Sequence, residues 1–177
     1  MTILLIILAI IAIPFILALF MRKEYRIVRE TVIDQPTPTV FEFVKKLKNQ
    51  ERYNKWTMMD PNVRKEMKGT DGTVGFIATW DSDNKKVGTG QQEIVEIKEG
   101  ERIRLALQFF KPFKGKANAS MNVVPQGSNQ TKLTWEFNSG MNYPMNIMIP
   151  LLNIEKLLGK DLDESLVLLK SILENKN

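Results

Sequence analysis

Between Phe76 and Phe137, apolar and polar residues exchange places with a period of two, and the alternation recurs in segment after segment. Phe76, Ala78 and Trp80 alternate with Ile77 and Thr79. Ile103, Leu105, Leu107 and Phe109 alternate with Arg102, Arg104, Ala106 and Gln108. Ala117, Ala119, Met121 and Val123 alternate with Asn118, Ser120 and Asn122, and Leu133, Trp135 and Phe137 with Lys132, Thr134 and Glu136. Successive side chains of a strand point to opposite faces, so the pattern predicts an antiparallel sheet with one covered face and one wetter face. Residues 88–97 add another strand, in which Gly88 and Gly90 mark a bulge or a close backbone approach. Asp81-Ser82-Asp83-Asn84, Gly100-Glu101 and Gln126-Gly127-Ser128-Asn129 supply the hairpin turns.

The period then changes. Over residues 153–173 the apolar side chains fall at Leu158, Leu162, Leu166, Leu169 and Ile172 or Leu173. Lys160, Asp161, Asp163, Glu164 and Lys170 lie off that stripe, as in a long amphipathic helix. The inner face of the sheet is the large apolar surface available to it. Towards the other end, residues 25–33 read as a first strand, and Asp34-Gln35-Pro36-Thr37-Pro38 as a breaker. Thr37 suits a helix cap and Pro38 the first helical position. Val40, Phe41, Val44 and Leu47 follow at helical spacing. A second short helix is expected over residues 51–56, stopped by Asp60-Pro61-Asn62. The fold class is α+β: an antiparallel sheet of about seven strands wrapped around a long C-terminal helix.

Residues 3–21 carry no charge and are apolar apart from Pro14. At 1.5 Å per residue such a run approaches the roughly 30 Å hydrocarbon core of a bilayer. Its length, and the lack of a preceding Lys or Arg, do not suit a cleaved signal peptide. Arg22, Lys23, Arg26 and Arg29 follow it, the flank expected on the cytoplasmic side. The expectation is a transmembrane helix over residues 1–22 that precedes a domain at 23–177. The protein would be single-pass in the cell membrane, with membrane contact through residues 3–21 and the C-terminal domain in the cytoplasm.

The 177 residues include no cysteine and no histidine. Disulfides, thiolate metal sites and histidine-based acid–base or nucleophilic catalysis are thereby excluded. The net charge of +5 is mild and does not call for nucleic acid. No metal-ligand spacing, phosphate-cradling loop or nucleophile motif is present, and Gly88-Thr89-Gly90 lacks the rest of a dinucleotide fingerprint. No catalytic residue, metal or cofactor is therefore assigned. Glu93, Glu96 and Glu136 sit in expected strands, where a buried carboxylate would serve as a base and a solvated one would not.

Several stretches, taken in order, resemble a known family. Pro38-Thr39-Val40-Phe41-Glu42-Phe43-Val44 is similar to the first helix of the SRPBCC superfamily, the helix-grip fold of START and polyketide cyclase/dehydrase-like domains. Trp56 before Asp60-Pro61-Asn62 resembles the turn ahead of its second strand. Phe110-Lys111-Pro112-Phe113, residues 131–135 and Leu158-Gly159-Lys160-Asp161-Leu162 resemble the late hairpin and C-terminal helix of its polyketide-cyclase-like branch. The resemblance covers residues 25–173. It implies an apolar cavity between sheet and long helix, and a hydrophobic small molecule or lipid as partner. It carries no shared catalytic motif.

The cavity candidates are Phe76, Trp80, Leu105, Leu107, Phe109, Met121, Trp135 and Phe137 on the sheet, faced by Leu158, Leu162, Leu166 and Leu169 on the helix. The same residues could fill a solid core. Met141, Met145 and Met148, around Tyr143, read either as a packed turn or as an adaptable lid. The leading expectation is a membrane-anchored carrier or sensor of a hydrophobic ligand. The alternatives are a cyclase/dehydrase-like enzyme working without histidine, and a structural or adaptor domain that binds a partner protein.

Overall fold

The computed structural model describes residues 2–175; the side chains of residues 2 and 4–11 are outside that description. Helix α1 (Thr2–Phe20) comes first, then strand β1 (Glu24–Ile33), helix α2 (Thr37–Lys45), a 3-10 turn (Leu47–Arg52) and helix α3 (Lys55–Met58). Six strands follow: β2 (Arg64–Lys68), β3 (Ile77–Asp81), β4 (Thr89–Lys98), β5 (Arg102–Lys111), β6 (Gly115–Pro125) and β7 (Thr131–Gly140). A 3-10 turn (Met145–Ile147) and helix α4 (Met148–Leu151) lead into helix α5 (Ile154–Leu173).

The seven strands form one antiparallel sheet in the order β1-β7-β6-β5-β4-β3-β2. The inner face is the one the alternation predicts. Ile27, Ile94, Ile103, Leu105, Ala117, Ala119, Met121, Val123, Leu133, Trp135 and Phe137 are all buried. Leu162, Leu166, Leu169 and Leu173 of α5 close over them, with Val40, Phe41 and Val44 of α2 completing the core. Each such Leu or Ile contributes roughly 1.5–3 kcal/mol on burial.

Four details differ from the sequence expectations. Strand β2 has no apolar alternation and every residue in it is exposed. It is a charged edge strand, a composition that discourages further pairing and carries no period-2 signal. The helix expected over residues 51–56 is instead two pieces, because the Asn54 side chain accepts a hydrogen bond from Trp56 N (3.0 Å) and starts α3 afresh. Thr37 does not cap α2. The helix begins after Pro36, and the Thr37 hydroxyl meets that of Thr131 at 3.1 Å, so a tertiary contact outcompetes the local one.

The fourth is a correction. Among the described residues no helix is long and apolar enough to cross a membrane, so a single-pass protein of the cell membrane with a cytoplasmic domain is not what the structure shows. The unbroken run of described side chains in α1 is residues 12–20, roughly 14 Å of helix against a hydrocarbon core of about 30 Å. The transmembrane helix expected over residues 1–22 and the membrane contact through 3–21 draw on side chains outside the described ones. Ala18 is fully buried where α1 meets the domain: buried Asn146 donates from Nδ2 to Ala18 O (2.6 Å) and Met21 O (3.0 Å).

Candidate functional site

One end of the sheet is hollow and the other is solid. Register brings the start of β1, the end of β7, the start of β6, the end of β5, the start of β4 and the end of β3 to the same end. Glu24 faces Gly140, Ala117 faces Ser139, Phe109 faces Gly115, and Asp81 faces Thr89. A cavity of about 1850 Å³ opens there. It passes around the sheet's end, so its lining includes inner-face Ala78, Trp80, Leu107, Phe109 and Phe137 and outer-face Gln108, Lys116, Asn118 and Asn138.

Of the sequence-expected residues, Trp80, Leu107, Phe109, Phe137 and Leu158 line this space. Phe76, Leu105, Met121, Trp135, Leu162 and Leu166 are instead in the packed interior, each at most 3% exposed. The aromatic wall is ordered by edge-on contacts. Trp80 and Phe109 have ring centroids 5.9 Å apart, and Trp56 and Phe137 5.4 Å apart. Trp80 Nε1 donates to Val87 O (3.3 Å) and Trp56 Nε1 to Asp161 Oδ2 (3.0 Å), which fixes both indoles. Gly90 sits under Trp80, where a Cβ would lie 2.4 Å from the ring. This close approach explains a glycine in mid-strand.

Three buried amides interrupt the apolar lining. Gln50, Asn54 and Gln92 all line the cavity and are at most 9% exposed. Gln50 Oε1 accepts from Asn54 Nδ2 and Gln92 Nε2, each at 3.2 Å. That arrangement leaves Gln50 Nε2 buried with no hydrogen-bond partner. A buried unpaired donor costs about 1–3 kcal/mol, which an acceptor atom placed beside it would recover. Trp135 Nε1 is also unpaired, but Trp135 does not line the cavity. Sequence reasoning missed this cluster. Gln92 did carry a signal, since it falls in phase with Gly90 and Ile94, a polar residue at an inward position of β4.

The rim is formed by Phe110, Phe113, Met141, Tyr143 and Met145, with Phe113 three-quarters exposed. The methionine cluster thus contributes Met141 and Met145 to the opening. Tyr25 is half-buried in the wall; burial raises its phenol pKa and a hydrogen bond with Ser139 partly offsets the rise, so it stays protonated at neutral pH. Glu96 and Glu136 lie away from the cavity, paired with Arg104 (3.0 Å) and Arg26 (2.9 Å), and the hydrogen bonds from Arg102 and Arg104 hold Glu96 below the usual carboxylate range. Glu93 does not line the cavity either. Among the described residues, the carboxylates that do line it are Glu24 and Glu51, and Glu51 is tied to Lys65 at 3.1 Å.

No protein-family model and no curated protein matches the sequence. Solved structures do match. Norcoclaurine synthase from Thalictrum flavum, in complex with dopamine and hydroxybenzaldehyde, is 13% identical with a TM-score of 0.63, over 92% of this chain and 93% of that one. The protein TTHA0849 from Thermus thermophilus is 15% identical with a TM-score of 0.61, over 86% of this chain and 99% of that one. The di-domain ARO/CYC BexL from the BE-7585A biosynthetic pathway is 14% identical with a TM-score of 0.59, over 84% of this chain and 49% of that one. At such identities the likeness is one of fold alone, an antiparallel sheet closed by a long C-terminal helix.

Proposed function

We propose that the domain, residues 23–177, is a receptor for a hydrophobic small molecule, as a carrier or a sensor. The observation that carries this reading is the cavity of about 1850 Å³ with an aromatic wall and the buried amides of Gln50, Asn54 and Gln92 among its lining. Binding pockets combine an apolar lining with a few placed polar groups in this way. Trp80, Leu107, Phe109, Phe137 and Leu158 would contact the apolar body, and the amide cluster of Gln50, Asn54 and Gln92 its polar groups. The fold neighbours lend support, since one is in complex with the aromatic ligands dopamine and hydroxybenzaldehyde.

A cyclase-like reaction needs a proton acceptor held against its substrate. The carboxylates that line the cavity, Glu24 and Glu51, are both exposed, and Glu51 is tied to Lys65 at 3.1 Å. The binding reading is therefore preferred to the catalytic one.

The test is titration of the full chain with Nile red, a neutral apolar dye. Saturable blue-shifted emission is expected from the native chain. It should weaken in Leu107→Trp, whose larger side chain intrudes on the cavity, with the thermal midpoint nearly kept. Equal uptake by the two proteins would place the dye elsewhere and overturn the proposal.

A further inference from the structure

We propose that the occupant of the cavity is an anionic amphiphile: an apolar body along the aromatic wall and a carboxylate or phosphate at the mouth. This deepens the receptor reading and rests on it. The argument comes from charge. Arg22 and Lys23 in the α1–β1 connection, Lys86 in the β3–β4 turn, and Lys114 and Lys116 at the β5–β6 hairpin all line the cavity. They come from separate parts of the sequence, and the sheet register gathers them at one end.

None of these five cations has a carboxylate within ion-pair distance among the described residues. Lys111 joins the same rim, but its charge is shared with Asp81, whose pKa it helps to lower. Two further lining cations are paired, Arg26 with Glu136 at 2.9 Å and Lys65 with Glu51 at 3.1 Å. Away from the cavity, Arg102, Arg104 and Lys132 each meet a glutamate at no more than 3.0 Å. Among the described lining residues Glu24 is the carboxylate outside these pairs, so the opening keeps a net positive charge. Like charges around a low-dielectric opening focus their field on it and concentrate ligands of opposite sign.

The two features fix an orientation. The buried amides and the aromatic rings lie inside, the cations are exposed at the rim, and a molecule satisfying both is apolar at one end and anionic at the other. A neutral sterol-like or polyaromatic ligand would leave the five cations unanswered. A small free anion would leave the aromatic wall empty.

The experiment titrates the full chain with three fluorescent polyenes of one chain length, each below its micellar concentration: cis-parinarate, the corresponding alcohol, and the phosphate monoester of that alcohol. At low salt at least one anion should bind about tenfold tighter than the alcohol, an advantage that shrinks as salt is added. Preference for the carboxylate would identify the free acid as the ligand source, and preference for the phosphate a phospholipid-type headgroup. In the Lys114→Gln, Lys116→Gln double variant the preferred anion should lose most of its advantage. Alcohol binding as tight as both anions would overturn the anionic assignment while leaving the receptor reading standing. Failure of all three to bind would overturn that reading as well.

Discussion

Tyr53 is fully enclosed, with its ring 6.1 Å from those of Phe43 and Trp135, and the partner of its hydroxyl is the Met121 sulfur at 3.9 Å. Burial raises its phenol pKa far above the ordinary value near 10. A group whose folded pKa is raised contributes stability below its unfolded pKa and loses it as pH climbs towards the folded one. The midpoint of thermal unfolding should therefore fall steeply above about pH 10. In Tyr53→Phe that fall should be shallower and the stability at neutral pH should change by less than about 1 kcal/mol, since the hydroxyl makes so weak a bond. Circular dichroism melts across the alkaline range check both. Gln50 presents the opposite case. Gln50→Leu would strand the Asn54 and Gln92 donors, and should lower stability by about 1–3 kcal/mol in chemical denaturation.

At the scale of elements, strand β4 shows how the wall is made. Gly90 lies opposite Trp80 in the register, and a Cβ there would also come within 2.7 Å of Gln108 O, so Gly90→Ala must move either backbone or indole. A cost of about 1–3 kcal/mol is expected, together with weakened Nile red uptake as Trp80 leaves the wall. Leu166→Ala in α5, by contrast, removes packing at the solid end and should cost about 2–5 kcal/mol. The sheet and α5 were legible because burial on one face imprints a period on the residues: 103, 105, 117, 119, 121, 123, 133, 135 and 137 are all buried as the alternation requires. Strand β2 was not legible, since an edge strand exposed on both faces has no reason to alternate. The division between hollow and solid ends was hidden too. Trp80 and Trp135 occupy equivalent inward positions, and it is the spacing of α5 and the short helices over the sheet, a tertiary property, that leaves space over one and none over the other.

For the whole molecule, exposed ion pairs and hydrogen bonds set the acid limit. The Ser82 hydroxyl and Asn62 N lower the pKa of Asp60, the Lys55 ammonium lowers that of Glu164, and arginines lower that of Glu96. A lowered folded pKa contributes stability above the unfolded value and loses it as pH falls through the folded one. The melting midpoint should hold near neutrality and decline below about pH 4, which a pH series of melts will show. The sheet order has a further consequence, for synthesis. Strand β1 precedes the other six strands in sequence, yet its sheet neighbour, β7, runs from Thr131 to Gly140. Until that hairpin emerges, β1 has no edge to join, and the Ala18 and Met21 carbonyls still lack the Asn146 amide that ties α1 down. The nascent chain must carry β1 unpaired until residues 131–140 have been made, and the sheet closes only with its last strand.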